Sequence, residues 1–109
     1  MVKYAKSFDD EYNRLEFLLC DFPYIDGNDL LVEIFISLFG IETIEKFDGI
    51  WFIDIKARKD DMEYVFVWHE DVGNCVYCLP QNRKNNKRLE NELKQVLEVL
   101  NDMIKKAGH

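Results

Sequence analysis

From Ile41 to Leu79 the apolar residues of this chain recur with a period of two, in runs too short for helices and cut by compact polar connections. The runs are Ile41 to Phe47, Ile50 to Ala57, Met62 to His69 and Asn74 to Leu79. They are separated by Asp48-Gly49, by Arg58-Lys59-Asp60-Asp61 and by Glu70-Asp71-Val72-Gly73. Connections this short can only join antiparallel neighbours, because a parallel crossover needs a dozen residues or more. The block therefore predicts an antiparallel β-meander of three or four strands. Its first strand is the least defined, since Ile41 to Phe47 also reads as a further helical turn.

Closing each loop as a simple hairpin sets a register. Ala57 then faces Met62, Ile55 faces Tyr64, Ile53 faces Phe66 and Trp51 faces Trp68, with Cys75, Tyr77 and Leu79 on the same, core-facing side. The other side carries Ile50, Phe52, Val65, Val67, Val76 and Cys78 among Glu45, Asp54 and His69, and it pairs Lys56 with Glu63. A sheet wetted on one side alternates more cleanly, so a helix or a partner is expected to cover this second face.

The period changes to helical outside the block. Phe8, Tyr12, Leu15, Leu19 and Phe22 step by four, three, four and three, the stripe of an amphipathic helix that ends before Pro23. Leu30 to Phe39 is apolar nearly all round, follows an Asn28 or Asp29 cap and stops at Gly40, which predicts a sandwiched second helix. Arg83 to Ala107 places Leu89, Leu93, Val96, Leu97, Leu100 and Ile104 on one face, a long third helix. The expected fold is α+β, an antiparallel sheet packed with two N-terminal helices and one C-terminal helix, as one domain over residues 1–107. Ala107-Gly108-His109 reads as the start of a histidine tag, so residues 108–109 are left out of the chemistry.

Charge narrows the functional classes. The chain has 14 Lys+Arg against 21 Asp+Glu, a net −7. Residues 1–79 hold a balance of −10 and residues 80–109 one of +3. Direct nucleic-acid binding needs cations to displace phosphate counterions, so a basic macromolecule is the more natural partner. No signal-peptide core and no run long enough to cross a bilayer is present, and three cysteines suit free thiols, which together predict a cytoplasmic protein.

Candidate chemistry is sparse. Cys75-Val76-Tyr77-Cys78 has metal-ligand spacing, but on a strand its two thiols point to opposite faces, so they read as buried hydrophobes. His69, beside Glu70 and Asp71, has the makings of a general base with an orienting acid, yet no second histidine follows four residues on, where Gly73 stands. No phosphate-binding glycine loop or nucleophile elbow occurs. The expectation is a non-enzyme without metal or cofactor. What remains is acid: Asp48, Glu70 and Asp71 at one end of the meander, flanked by Trp51, Trp68 and His69, with Asp60, Asp61 and Glu63 about 25 Å away at the other. The basic run Arg83, Lys84, Lys87 and Arg88 starts near that second end and should screen Asp60 and Asp61.

In size, acidity, α+β pattern and lack of motif the whole chain resembles the immunity proteins of bacterial polymorphic and contact-dependent growth inhibition toxin systems. These families share no signature residue, so no position carries over. The resemblance implies a dedicated inhibitor that binds a toxin domain, often a nuclease, and protects the producing cell. The expected partner is a basic cognate toxin, met as a monomer or homodimer through Asp48, Glu70, Asp71, Trp68 and His69, with Asp60, Asp61 and Glu63 as secondary contacts. Two rivals stay open. One is a phage inhibitor that mimics nucleic acid, the other a small enzyme or ligand-binding domain built around His69 and the second sheet face.

Overall fold

A computed structural model describes residues 1–108; His109, set aside above as tag, lies outside them. The chain runs β1 (Lys3–Asp9), β2 (Arg14–Cys20), α1 (Asp26–Phe39), β3 (Glu42–Asp48), β4 (Phe52–Lys59), β5 (Met62–His69), β6 (Gly73–Leu79) and α2 (Arg83–Ala107). All six strands form one antiparallel sheet in the order β1-β2-β6-β5-β4-β3. The α+β class and the meander β3 to β6 are as expected, but the sheet has six strands and the chain two helices. No helix among the described residues is long and apolar enough to cross a membrane.

The first helix of the sequence reading is a β-hairpin. Its supposed apolar stripe leaves Phe8 57% and Tyr12 61% exposed, whereas Phe17, which falls off that stripe, is fully buried. Leu15, Phe17 and Leu19 instead alternate toward the core, the period of a strand. Local turn chemistry closes the hairpin: the Asp9 carboxylate accepts the N–H groups of Glu11 and Tyr12 at 3.0 and 3.3 Å, and Asn13 takes a positive φ of 51°. The decisive contribution is long-range. The meander by itself would leave β6 with a bare edge, and β2 pairs along it, with Phe17 opposite Val76 and Leu18 opposite Cys75.

Both helices pack on one face of the sheet. Leu31 and Phe35 of α1 and Leu89, Leu93 and Val96 of α2 form a single core with Phe17, Tyr64, Phe66, Val76 and Cys78. Phe35 sits edge-on to both Tyr64 and Phe66, with ring centroids 5.8 and 5.2 Å apart. Gly40 ends α1 as the period implied, at φ 68° with its N–H on the Ile36 carbonyl, but α1 begins at Asp26 without a side-chain cap. It is not wholly sandwiched either, since Ile36 and Leu38 remain 41% and 43% exposed.

Register departs from expectation in two ways with different consequences. Between β4 and β5 the turn is one of two residues, so Ala57 faces Tyr64, Ile55 faces Phe66 and Ile53 faces Trp68. That is a slip of two, which keeps the side chains of both strands on their expected faces, but Trp51, expected opposite Trp68 toward the core, falls outside β4 in the turn and is 59% exposed. It separates Lys56 from Glu63: Lys56 lies opposite Val65 and pairs with Glu45 at 3.3 Å, while Glu63 lies opposite Arg58. Between β5 and β6, however, His69 faces Gly73 across a three-residue loop, a slip of one. The faces of β6 are therefore exchanged. Asn74, Val76 and Cys78 point into the core, and Cys75, Tyr77 and Leu79 point to the open face.

Both helices contribute to the core on the other side, and among the described residues neither packs on that open face. Its outermost strand β3, which could also have passed for a helical turn, is exposed along its whole length.

Candidate partner-binding surface

Chain direction through the antiparallel sheet puts the β3–β4 turn, the β5–β6 loop and the segment leaving β2 at one end. Backbone and side-chain hydrogen bonds lock these three pieces side by side. The Glu70 N–H donates to the Trp51 carbonyl at 3.0 Å, and the Gly49 N–H to the Phe52 carbonyl at 2.8 Å. The buried Asn74 amide donates to the carbonyls of Phe22 and Tyr24, both at 2.9 Å, and the Trp68 indole donates to the Pro23 carbonyl at 2.9 Å. Close approach is built into the glycines here. A Cβ on Gly73, whose φ is already 87°, would stand 3.2 Å from Pro23 Cα, and one on Gly27 would strike the Phe22 ring at 2.4 Å.

The held loops present carboxylates around apolar side chains. Asp48, Glu70 and Asp71 are exposed, as are Asp21 and Asp26 next to them in the connecting segment. None of these five takes part in an ion pair among the described residues. The same end exposes Ile50 at 85%, Tyr24 at 63%, Trp51 at 59% and Val72 at 56%. Apolar and aromatic side chains ringed by charge have the anatomy of a protein-binding patch, in which buried anchors give affinity and the rim gives selectivity.

The other candidates divide. Trp68 faces the core and is tied by its indole, so it supports the patch from beneath. His69 stands on the open face at the margin of the patch, and its Nδ1 accepts the Asp71 N–H at 3.1 Å. That bond places the proton of the neutral ring on Nε2. Asp60 and Asp61 lie at the opposite end of the sheet, where Arg88 of the basic run reaches Asp60 at 3.5 Å. Glu63 is at that far end too, between Arg58 and Leu79. The eight residues proposed from sequence thus form two separate groups.

Sequence reasoning missed Tyr24, Ile25, Val72 and Asp21. The signal for Tyr24 and Ile25 was the turn between Pro23, which reads as a helix stop, and the Asn28 or Asp29 cap, a turn whose exposed apolar residues were not assigned to the surface. Among the described residues no cluster of histidine, cysteine and carboxylate groups is arranged to hold a metal. Cys75 and Cys78 do face opposite ways, and burial pushes their thiols up to about 12 and about 11. Comparison of the chain with protein-family models, with curated proteins and with solved structures gives no match to any of them.

Proposed function

We propose that this chain is an immunity protein that binds a basic cognate toxin domain and neutralises it by covering its working surface. One observation carries the reading: among the described residues Asp48, Glu70 and Asp71 stand free of ion pairs around the exposed Trp51, Ile50 and Val72. Unpaired carboxylates give the fast, oriented encounter that a cationic target needs, and the apolar centre gives the slow release that inhibition needs. Acidic groups split between two sheet ends suit this reading better than mimicry of a nucleic acid, whose phosphates run in a line.

The test begins with the protein that copurifies with this chain from its native host. That protein should be basic, should stop growth when expressed alone, and should be tolerated when this chain is coexpressed. Glu70→Lys with Asp71→Lys should then weaken the complex at least about tenfold, or about 1.4 kcal/mol, in titration calorimetry at physiological salt. A partner that is harmless alone would overturn the function. An affinity untouched by the double reversal would overturn the surface.

A further inference from the structure

The open face of the sheet carries a second feature that the patch above does not use. Across the six strands one transverse row reads Ala5, Leu18, Cys75, Val67, Asp54 and Phe47, each opposite the next. Asp54 is its single charge. The carboxylate is half-buried and has no hydrogen bond or ion pair among the described residues. Cations stand nearby, yet each is already engaged: Lys56 with Glu45 at 3.3 Å, and Arg14 with Glu16 at 2.6 Å and with the Tyr77 ring at 4.0 Å. Burial accordingly pushes the Asp54 carboxyl above its ordinary value, and the charges of Lys56 and Arg14 offset only part of that.

Beside Asp54 lies an aromatic platform. Phe47 is its cross-strand neighbour, and Phe52 precedes it by two residues on the same face of β4. The two rings stack with centroids 5.5 Å apart and planes 24° from parallel, and Phe47 is 59% exposed. A carboxylate without a partner next to stacked rings open to solvent has the complementary chemistry for a flat cation. A guanidinium stacks on the rings and donates its paired N–H groups to the carboxylate, which a compact ammonium cannot do at once. The pair is also continuous with the acidic end, since Asp48 follows Phe47 and Phe52 lies opposite His69.

We infer that Asp54, Phe47 and Phe52 form the receptor for an arginine side chain of the basic protein partner, so that the toxin's footprint extends from the acidic end onto the open sheet face. This rests on the reading of a basic partner, but its test does not need that partner. The probe is Nα-acetyl-arginine methylamide, titrated into the isotope-labelled protein and followed by chemical-shift mapping, with the citrulline and lysine analogues as comparators.

Shifts should centre on Phe47, Phe52, Asp54 and Val67. The citrulline analogue should give none there, and the lysine analogue should bind more weakly. Asp54→Asn should weaken the arginine probe by about tenfold, the loss expected when a charge-assisted pair becomes neutral. Phe47→Leu, at a position 59% exposed, should also weaken it. Glu70→Lys with Asp71→Lys should leave binding at Asp54 in place. Shifts confined to Asp48, Glu70 and Asp71, binding that persists in Asp54→Asn, or equal binding of the lysine analogue would overturn the receptor. Such a result would leave the proposed function standing on its own toxin assay.

Discussion

Individual side chains in this protein answer to burial first and charge second. Tyr64 is fully buried and donates its hydroxyl to Glu92 at 2.6 Å, a carboxylate that is itself 8% exposed and 3.5 Å from Arg88. Tyr64→Phe leaves that carboxylate short of a donor and should cost about 1–3 kcal/mol in urea unfolding. Glu90 illustrates the acid side. The Tyr4 hydroxyl at 2.6 Å, with Lys6 at 3.0 Å, holds its carboxyl below the ordinary range. A depressed folded-state pKa contributes stability that is present above the unfolded value, about 4.3, and is lost as pH falls through the folded value. Tyr4→Phe should therefore flatten the fall in stability as pH drops from about 4.3 toward the folded value, measured by urea unfolding across that window. Thiol chemistry follows the same order of effects: Cys20 is exposed, while the buried Cys75 and Cys78 resist ionisation. An aromatic disulfide reagent should consume one thiol quickly in the native protein and the other two only after denaturation.

The elements differ in how much of their shape is local. α2 was legible from end to end, because its stripe is sustained over many turns; the structure adds an Asn82 cap that accepts the Asn85 N–H at 2.8 Å. Asn82→Ala should lower stability by about 1 kcal/mol in thermal melts. The stop of α1 was equally plain. Gly40 has nothing within 4 Å of where a Cβ would sit, so the cost of Gly40→Ala is purely that of its left-handed backbone, about 1–2 kcal/mol. The N-terminal hairpin was illegible for the opposite reason. Over residues 8–22 the helical and the strand periods both find apolar matches, and local pattern has no means of choosing between them. Phe17 is the residue that separates the two, and its burial exists only because β2 lies along β6. The faces of β6 were lost to a smaller ambiguity, the inclusion of one residue more or fewer in the loop after His69.

At the scale of the whole molecule the acid is sorted by topology. Asp60 meets Arg88 because β5 begins and α2 begins at the same end of the sheet, whereas Asp48, Glu70 and Asp71 gather at the end that α2 does not start from. If that end receives a basic partner, association should be steered by its field. The association rate should fall by at least about tenfold between low and high salt in stopped-flow mixing while the dissociation rate changes little. The net charge and its asymmetry along the chain, the β3 to β6 meander, the turn glycines and α2 were determined by sequence alone. They depend on spacings of a few residues, and those spacings are written in the chain. The state of residues 3–20, the side of the sheet each β6 residue occupies, and the placing of Phe47 opposite Asp54 were decided only in three dimensions. Each depends on which strand edge pairs with which, and that pairing is settled by the burial of residues far apart in the chain.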